Sequence, residues 1–168
     1  CDRPVDDSWQ GARSLAEEVE QVCAIRLRKN VGQHAALLLG VRQASGRVCV
    51  TMDEDLQHSP TDVPALVDAA RDGDCLACGV AEVLQFGLFR NFGSRTTKAM
   101  LARFLNVEDA HNLSAFRAFP LEFRDAFESY RHPHVAMDVL LSWAGAPVVA
   151  IPTRQQPRAA GQSGYTLL

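Results

Sequence analysis

The stretch VCVTMDEDLQHSP, residues 48–60, carries an apolar segment straight into three carboxylates, Asp53, Glu54 and Asp55, and then into Gln57, His58 and a proline. The segment 48–52 is short, apolar and rich in β-branched residues, which predicts a strand buried on both faces. A helix is predicted directly after Pro60: Val63, Leu66, Val67 and Ala70 recur at the i, i+3, i+4, i+7 spacing of one helical face. Ser59, Thr61 and Asp62 offer capping oxygens at its start. A strand followed at once by a helix is the unit from which parallel sheets are built, and such sheets bind ligands outside the carboxyl ends of their strands. The three acids fall at that edge.

Outward from this unit the same alternation continues. A helix is predicted near 10–20, with Ala12, Leu15 and Val19 on one side, then a strand CAIRL at 23–27, a helix after Gly32, and a strand CLACG at 75–79. Beyond residue 80 the pattern gives a helix at 94–105, a polar loop at 108–112 and a short strand at 114–118. Two helices near 120–129 and 135–143 follow, then a strand PVVAI at 147–151 and a polar loop from Thr153 to Tyr165. Short, wholly apolar strands alternating with helices argue an α/β fold with a mostly parallel sheet covered on both faces.

With 168 residues, 47% of them hydrophobic, the chain has enough apolar surface for one globular domain. Its net charge of −3 excludes a generally basic nucleic-acid binder, so no nucleic-acid partner is expected. Local clusters at Arg26–Lys29, Arg90–Arg103 and Arg154–Arg158 remain candidate anion sites. The longest apolar run, Val139–Ile151, is interrupted by Ser142, Trp143, Gly145 and Pro147. It falls short of the ~20 residues that span a bilayer. Five cysteines, mostly in apolar runs, fit a reducing compartment. Cys75 and Cys78 match C-x-x-C in form, but an offset of three on a strand sends the two thiols to opposite faces, which argues against a redox or zinc site.

Alternation places Asp53 and Asp55 on one side and Glu54 on the other, so Asp53 and Asp55 can jointly hold a hard divalent cation, magnesium or manganese. Two like carboxylates repel, and a cation bridging to a diphosphate relieves that repulsion. A solvated acidic turn would carry the same letters. Arg28 and Lys29 follow the strand CAIRL, either as a surface basic pair or lying against a diphosphate, while Asn30 and Gly32 shape the turn into the next helix. His34 and His58 have no partner histidine at helical spacing, and a local packing role is expected for both.

The segments LRKNVGQHAALLLGVRQASG, VTMDEDLQHSP, FRNFGSR, SAFRAF and PRAAGQSGYT occur in one order along the chain. Together they resemble family-two glycosyltransferases of the GT-A fold, which is Rossmann-like, and especially the polyprenyl-phosphate sugar transferases of the dolichol-phosphate mannosyltransferase and undecaprenyl-phosphate type. The resemblance covers roughly residues 2–166 and is strongest over Asn30-Val-Gly32-Gln33 and Asp53 to His58. It implies a nucleotide-sugar donor, a polyprenyl phosphate acceptor and inversion at the anomeric carbon. It further implies a divalent metal (Mg or Mn) held by Asp53, Asp55 and Gln57, with Asp53, Asp55 and Arg117 catalytic. Asp2, Lys29, Asn30 and Asp53 would bind the donor, and Arg90, Arg95 and Arg158 the acceptor phosphate, with Lys98 in the same cationic stripe.

Two registers are open at the N-terminus: Asp6 and Asp7 could form the family's acidic pair, or Asp2 its second member, and the distance to Asn30 favours Asp2. Either way the family's first strand is missing, so residues 1–168 are expected to be one catalytic domain truncated at both ends. Membrane attachment is expected through flanking sequence, at the cytoplasmic face. Two positions depart from the pattern, Ala115 where relatives carry Asp before the Phe-Arg pair, and Gly164 between Ser163 and Tyr165. Ala115 leaves the base unassigned. A phosphate monoester, with its second pKa near ~6, needs little deprotonation to attack, whereas a hydroxyl would need a base. Asp138 is expected on a helix surface. A hydroxyl-acceptor transferase and a non-catalytic nucleotide-binding scaffold are the alternatives.

Overall fold

Helix α1 (Ser8–Glu18) is followed by α2 (Gln33–Gln43), and β1 (Val48–Thr51) is the strand predicted from VCVTM. A 3-10 turn (Pro60–Asp62) and α3 (Val63–Gly73) lead into β2 (Leu76–Ala81). Later come β3 (Arg117–Pro120), a longer 3-10 segment (Leu121–Phe127), α4 (Met137–Ser142) and β4 (Val148–Thr153). The structure, a computed structural model, describes residues 7–81, 113–132 and 134–154. The helix read at 94–105 and the loop at 108–112 lie outside them.

The strands form one sheet in the order β1-β3-β2-β4. β3 pairs antiparallel with β1, from Val48↔Pro120 to Thr51↔Arg117, and antiparallel with β2 through Ala77↔Ala118 and Cys78↔Arg117. β2 and β4 pair in parallel, from Leu76↔Val148 to Ala81↔Thr153. β1, β2 and β4 therefore share one direction, and β3 is inserted between them reversed. The sheet is mostly parallel in strand direction, as expected, yet mixed in its hydrogen bonding. Apolar alternation encodes which side chains are buried, not which way the strand runs, so the reversal of β3 had no local signal.

Helices cover both faces. On one, Leu66 and Ala70 of α3 pack with Cys75, Ala77, Phe116 and Ala118. Leu66 is wholly buried, and a leucine so placed contributes roughly 1.5–3 kcal/mol. On the other, Leu38 and Val41 of α2 and Met137, Leu140 and Leu141 of α4 pack with Leu76, Cys78, Phe119 and the 3-10 segment. Cys75 and Cys78 thus lie in different cores, the opposite-face arrangement their spacing predicts. Burial pushes both thiols up, so neither is a thiolate near neutral pH.

The segment CAIRL forms no strand. A strand is defined by its ladder, and among the described residues none lies beside 23–27, where Cys23 and Ile25 are exposed. Helix α1 buries no residue, and its Leu15 is 49% exposed. Arg26 lies 5.5 Å over the Trp9 ring, a cation–π contact between this segment and α1. Asp62, read as a cap for α3, makes no side-chain capping bond; its Oδ2 instead accepts from Arg154 N at 3.0 Å, fixing the exit of β4 to the start of α3.

Gly79 in β2 faces the ring of Phe116. A Cβ at this position would meet Phe116 Cδ1 at 2.6 Å and Thr153 Cγ2 at 3.0 Å. The ring is fully buried, so any shift must be taken up by the surrounding core. Gly79→Ala is therefore expected to cost about 1–3 kcal/mol from overpacking. A thermal melt should show a drop of several degrees, and an unchanged Tm would mean that Phe116 has room to move.

Candidate active site

Thr51 is the last residue of β1, and its buried hydroxyl donates to the Ala115 carbonyl at 2.7 Å, which anchors the strand end to the approach of β3. The ladder stops there, but alternation of burial persists: Met52, Glu54 and Leu56 are exposed, while Asp53, Asp55 and Gln57 are half-buried. A turn sustains the pattern. Asp55 Oδ1 accepts from Gln57 N at 3.2 Å, and Leu56 adopts φ 61, a left-handed conformation that an L side chain takes at a cost of order 1 kcal/mol. Strain of this kind collects at functional turns. It leaves both aspartates on the inner side and Glu54 outside.

The turn at Asn30 supplies a second wall. Asn30 Oδ1 accepts from Gly32 N at 3.2 Å, and Gly32, at φ 84, is the N-cap of α2. This places Gln33 at the first position of α2, where its Nε2 donates to Asp53 Oδ1 at 2.8 Å. The two segments in which the family likeness is strongest are thus in direct contact. Sequence reasoning did not pair Gln33 with Asp53, since no spacing rule joins residues 20 apart. Arg28, Lys29 and Asn30 are exposed beside this turn.

His58 packs locally, as expected. Its ring stacks on Phe116 with centroids 4.8 Å apart, and its buried Nδ1 has no hydrogen-bond partner among the described residues. Because Phe116 lies against Gly79, the acidic turn rests on the core through one stack of rings.

Arg117 pairs with Thr51 across the ladder, placing it one strand from the acidic turn. It is 3% exposed, and its Nη1 donates to Asp138 Oδ1 in the first turn of α4. Asp138, expected on a helix surface, is instead held against a buried guanidinium, with 26% of its side chain exposed. Its neighbour Met137 donates its N–H to His34 Nδ1 at 3.4 Å, tying the start of α4 to the first turn of α2. Between the two runs a cavity of about 220 Å3, lined by residues 31–35 with His134 and Val135.

Asp53 and Asp55 are the carboxylates of this turn that would face a magnesium or manganese ion. No group of three or more Asp, Glu, His or Cys side chains gathers among the described residues. Two carboxylates on one turn are nevertheless the donor set such an ion takes when substrate phosphates and water complete its shell. For Gln57, the described bond is from its main-chain N–H to Asp55. Asp2, Arg90, Arg95, Lys98, Arg103, Arg158 and Gly164 lie outside the described residues. Among the described residues no helix is long and apolar enough to cross a membrane.

A family model described as glycosyl transferase family 2 matches residues 2–130. Undecaprenyl-phosphate 4-deoxy-4-formamido-L-arabinose transferase of Klebsiella pneumoniae (strain 342) is 28% identical over 98% of this chain and 52% of its own length. The enzyme of that name from Pectobacterium carotovorum subsp. carotovorum (strain PC1) is 29% identical over the same shares. The chain spans about half the length of these curated relatives. Glucosyl-3-phosphoglycerate synthase from Mycobacterium tuberculosis, solved with Mn2+ and uridine-diphosphate-glucose, superposes with a TM-score of 0.51 at 18% identity, covering 94% of this chain and 58% of that one. This likeness shows the GT-A fold.

Proposed function

The chain belongs to glycosyl transferase family 2, and from that premise we propose that it is the catalytic part of an inverting transferase that moves a sugar from a nucleotide diphosphate to a polyprenyl phosphate. The observation that carries this reading is the contact between Gln33 and Asp53, which joins the Asn30 turn to the acidic turn at the carboxyl edge of β1. Nucleotide sugars bind at such an edge in α/β sheets.

In this reading Asp53 and Asp55, with Gln57, would hold a magnesium or manganese ion, which would supply Lewis-acid neutralisation of the donor diphosphate. Asp2, Lys29 and Asn30 orient the nucleotide. Arg90, Arg95 and Arg158 grip the acceptor phosphate, for which a guanidinium fork is the suited shape. One oxygen of that phosphate attacks the anomeric carbon from the face opposite the diphosphate. The new carbon–oxygen bond forms as the bond to the nucleoside diphosphate breaks, and the electron pair leaves with the diphosphate. The acceptor is already anionic, so no base has to take a proton. That suits Ala115, and it suits Asp138, whose carboxylate is engaged by Arg117. Arg117, expected to be catalytic, is 3% exposed and bonded to Asp138, so in this reading it is a positioning residue that sets the start of α4 against the strand edge. The acceptor in the relatives' names, undecaprenyl phosphate, supports the choice of a phosphate acceptor. We place the reaction at the cytoplasmic membrane face.

The test is transfer itself. The intact protein, given undecaprenyl phosphate in detergent, a panel of radiolabelled nucleotide sugars and Mg2+ or Mn2+, should move label into the organic-extractable fraction, and EDTA should stop it. Label moving only to a water-soluble hydroxyl acceptor would overturn the acceptor assignment. Absence of any donor binding by calorimetry would overturn the enzyme reading.

A further inference from the structure

At the end of the sheet away from the acidic turn lies a cavity of about 330 Å3, lined by Arg42, Arg124, Asp125, Glu128 and Arg131. Its position follows from the register. Val48 pairs with Pro120, so the 3-10 segment begins at the end of β1 opposite to Asp53. Arg42 lies in the last turn of α2, whose first turn carries Gln33.

The guanidinium groups come from two parts of the chain, Arg42 from α2 and Arg124 and Arg131 from the 3-10 segment and the residues just after it, and each donates to at least one main-chain carbonyl. Arg42 Nη2 donates to Tyr130 O at 2.6 Å, and Arg124 Nη1 to Ala44 O at 2.7 Å. Arg131 Nη1 donates to Glu128 O and, at 3.0 Å, to Tyr130 O, so Arg42 and Arg131 share one acceptor residue. A carbonyl fixes the direction of a guanidinium without cancelling its charge. Each arginine has five N–H donors, and these bonds use only a few of them. Of the two acids in the lining, Asp125 sits 3.9 Å from Arg124 with its side chain 74% exposed, where water screens the pair.

We infer that this cavity is a second anion site, built for a phosphate-bearing ligand and remote from the acidic turn. Its volume lies at the lower end of the ~300–1,000 Å3 range of small-ligand pockets, and oriented guanidinium forks match phosphate oxygens. Soluble phosphates and lipid headgroups both carry this chemistry. Trp143, 51% exposed, packs edge-on against Tyr130, whose carbonyl anchors two of the arginines. An amphipathic ring in that place would suit headgroup level. The inference does not depend on sugar transfer.

The test titrates inorganic phosphate and pyrophosphate into the intact protein in EDTA, which removes metal-dependent binding at Asp53 and Asp55. In parallel, flotation compares phosphatidylglycerol with phosphatidylcholine vesicles. Saturable phosphate binding without flotation identifies a soluble ligand, and flotation with phosphatidylglycerol alone identifies a headgroup. In either case Arg131→Gln and Arg42→Gln should each weaken binding by about tenfold, the scale of one lost charge-assisted hydrogen bond. Sugar transfer should be unchanged in both variants. Among the described residues Arg131 bonds only to carbonyls within three residues of itself, so its variant keeps the test open if Arg42→Gln does not fold. Binding undiminished in Arg131→Gln, or absence of binding to every probe, overturns the inference; phosphate retained at the acceptor arginines would show itself as binding that neither variant changes.

Discussion

Asp55→Ala is expected to lower metal-dependent sugar transfer by roughly 10²–10³-fold, the scale seen when one preorganised electrostatic partner of a developing charge is removed. Two different losses are combined in that substitution. The carboxylate would no longer share the cation with Asp53, and the bond from Gln57 N to Asp55 Oδ1 that closes the turn would also vanish. Asp55→Asn separates them, because its amide oxygen still accepts from Gln57 N while the charge is gone. If charge on the diphosphate is what matters, Asn should be nearly as inactive as Ala, and more Mn2+ should be needed to reach half-maximal rate. If the turn is what matters, Asn should restore most of the rate. Both variants should melt within a few degrees of the parent, since the turn is at the surface and a hydrogen bond there is worth ~1 kcal/mol. Undiminished transfer in Asp55→Ala would sink the assignment of the acidic turn.

The expected tolerance of the fold follows from how the turn is mounted. It is held from below by the stack of His58 on Phe116 over Gly79, and from the side by Gln33. Neither support passes through the Asp55 carboxylate, so losing that group should change chemistry more than architecture.

The α3 face was legible because a helix buries residues at a fixed period: Val63, Leu66, Val67 and Ala70 named it, and Leu66 and Ala70 are fully buried. The opposite placement of Cys75 and Cys78 was legible for the same reason in a strand. The common side of Asp53 and Asp55, opposite Glu54, was legible through their spacing. What stayed hidden were relations between distant segments. CAIRL is apolar enough for a strand, but a strand also needs a neighbour to supply its ladder. The run SAFRAF reads as apolar with one arginine, and nothing local says that its strand is reversed or that Arg117 turns into the core. Asp138 sits among apolar residues of a short helix, a pattern that also fits a solvated face. Only the crossing of β3 with α4 reveals it as a partner for a buried charge.

That pair sets the second large effect. Asp138→Ala is expected to destabilise the fold by about 3–5 kcal/mol, because it strands a buried cation without its partner. Only 4% of the Arg117 side chain is exposed, and a guanidinium cannot shed its proton to escape the cost. Arg117→Met should cost clearly less. Methionine fills much of the same volume with apolar atoms, and the Asp138 carboxylate left behind, 26% exposed, can still be hydrated. Replacing both partners, as Arg117→Met with Asp138→Leu, should recover stability relative to Asp138→Ala alone, since no buried charge then remains. Denaturant melts of the three variants would decide it. If Arg117→Met and Asp138→Ala cost the same, packing rather than charge holds α4 to β3. If neither changes stability while both lower kcat, Arg117 acts on substrate rather than on the position of α4. The ordering of the two single variants therefore separates a positioning role from a catalytic one without any knowledge of the bound donor.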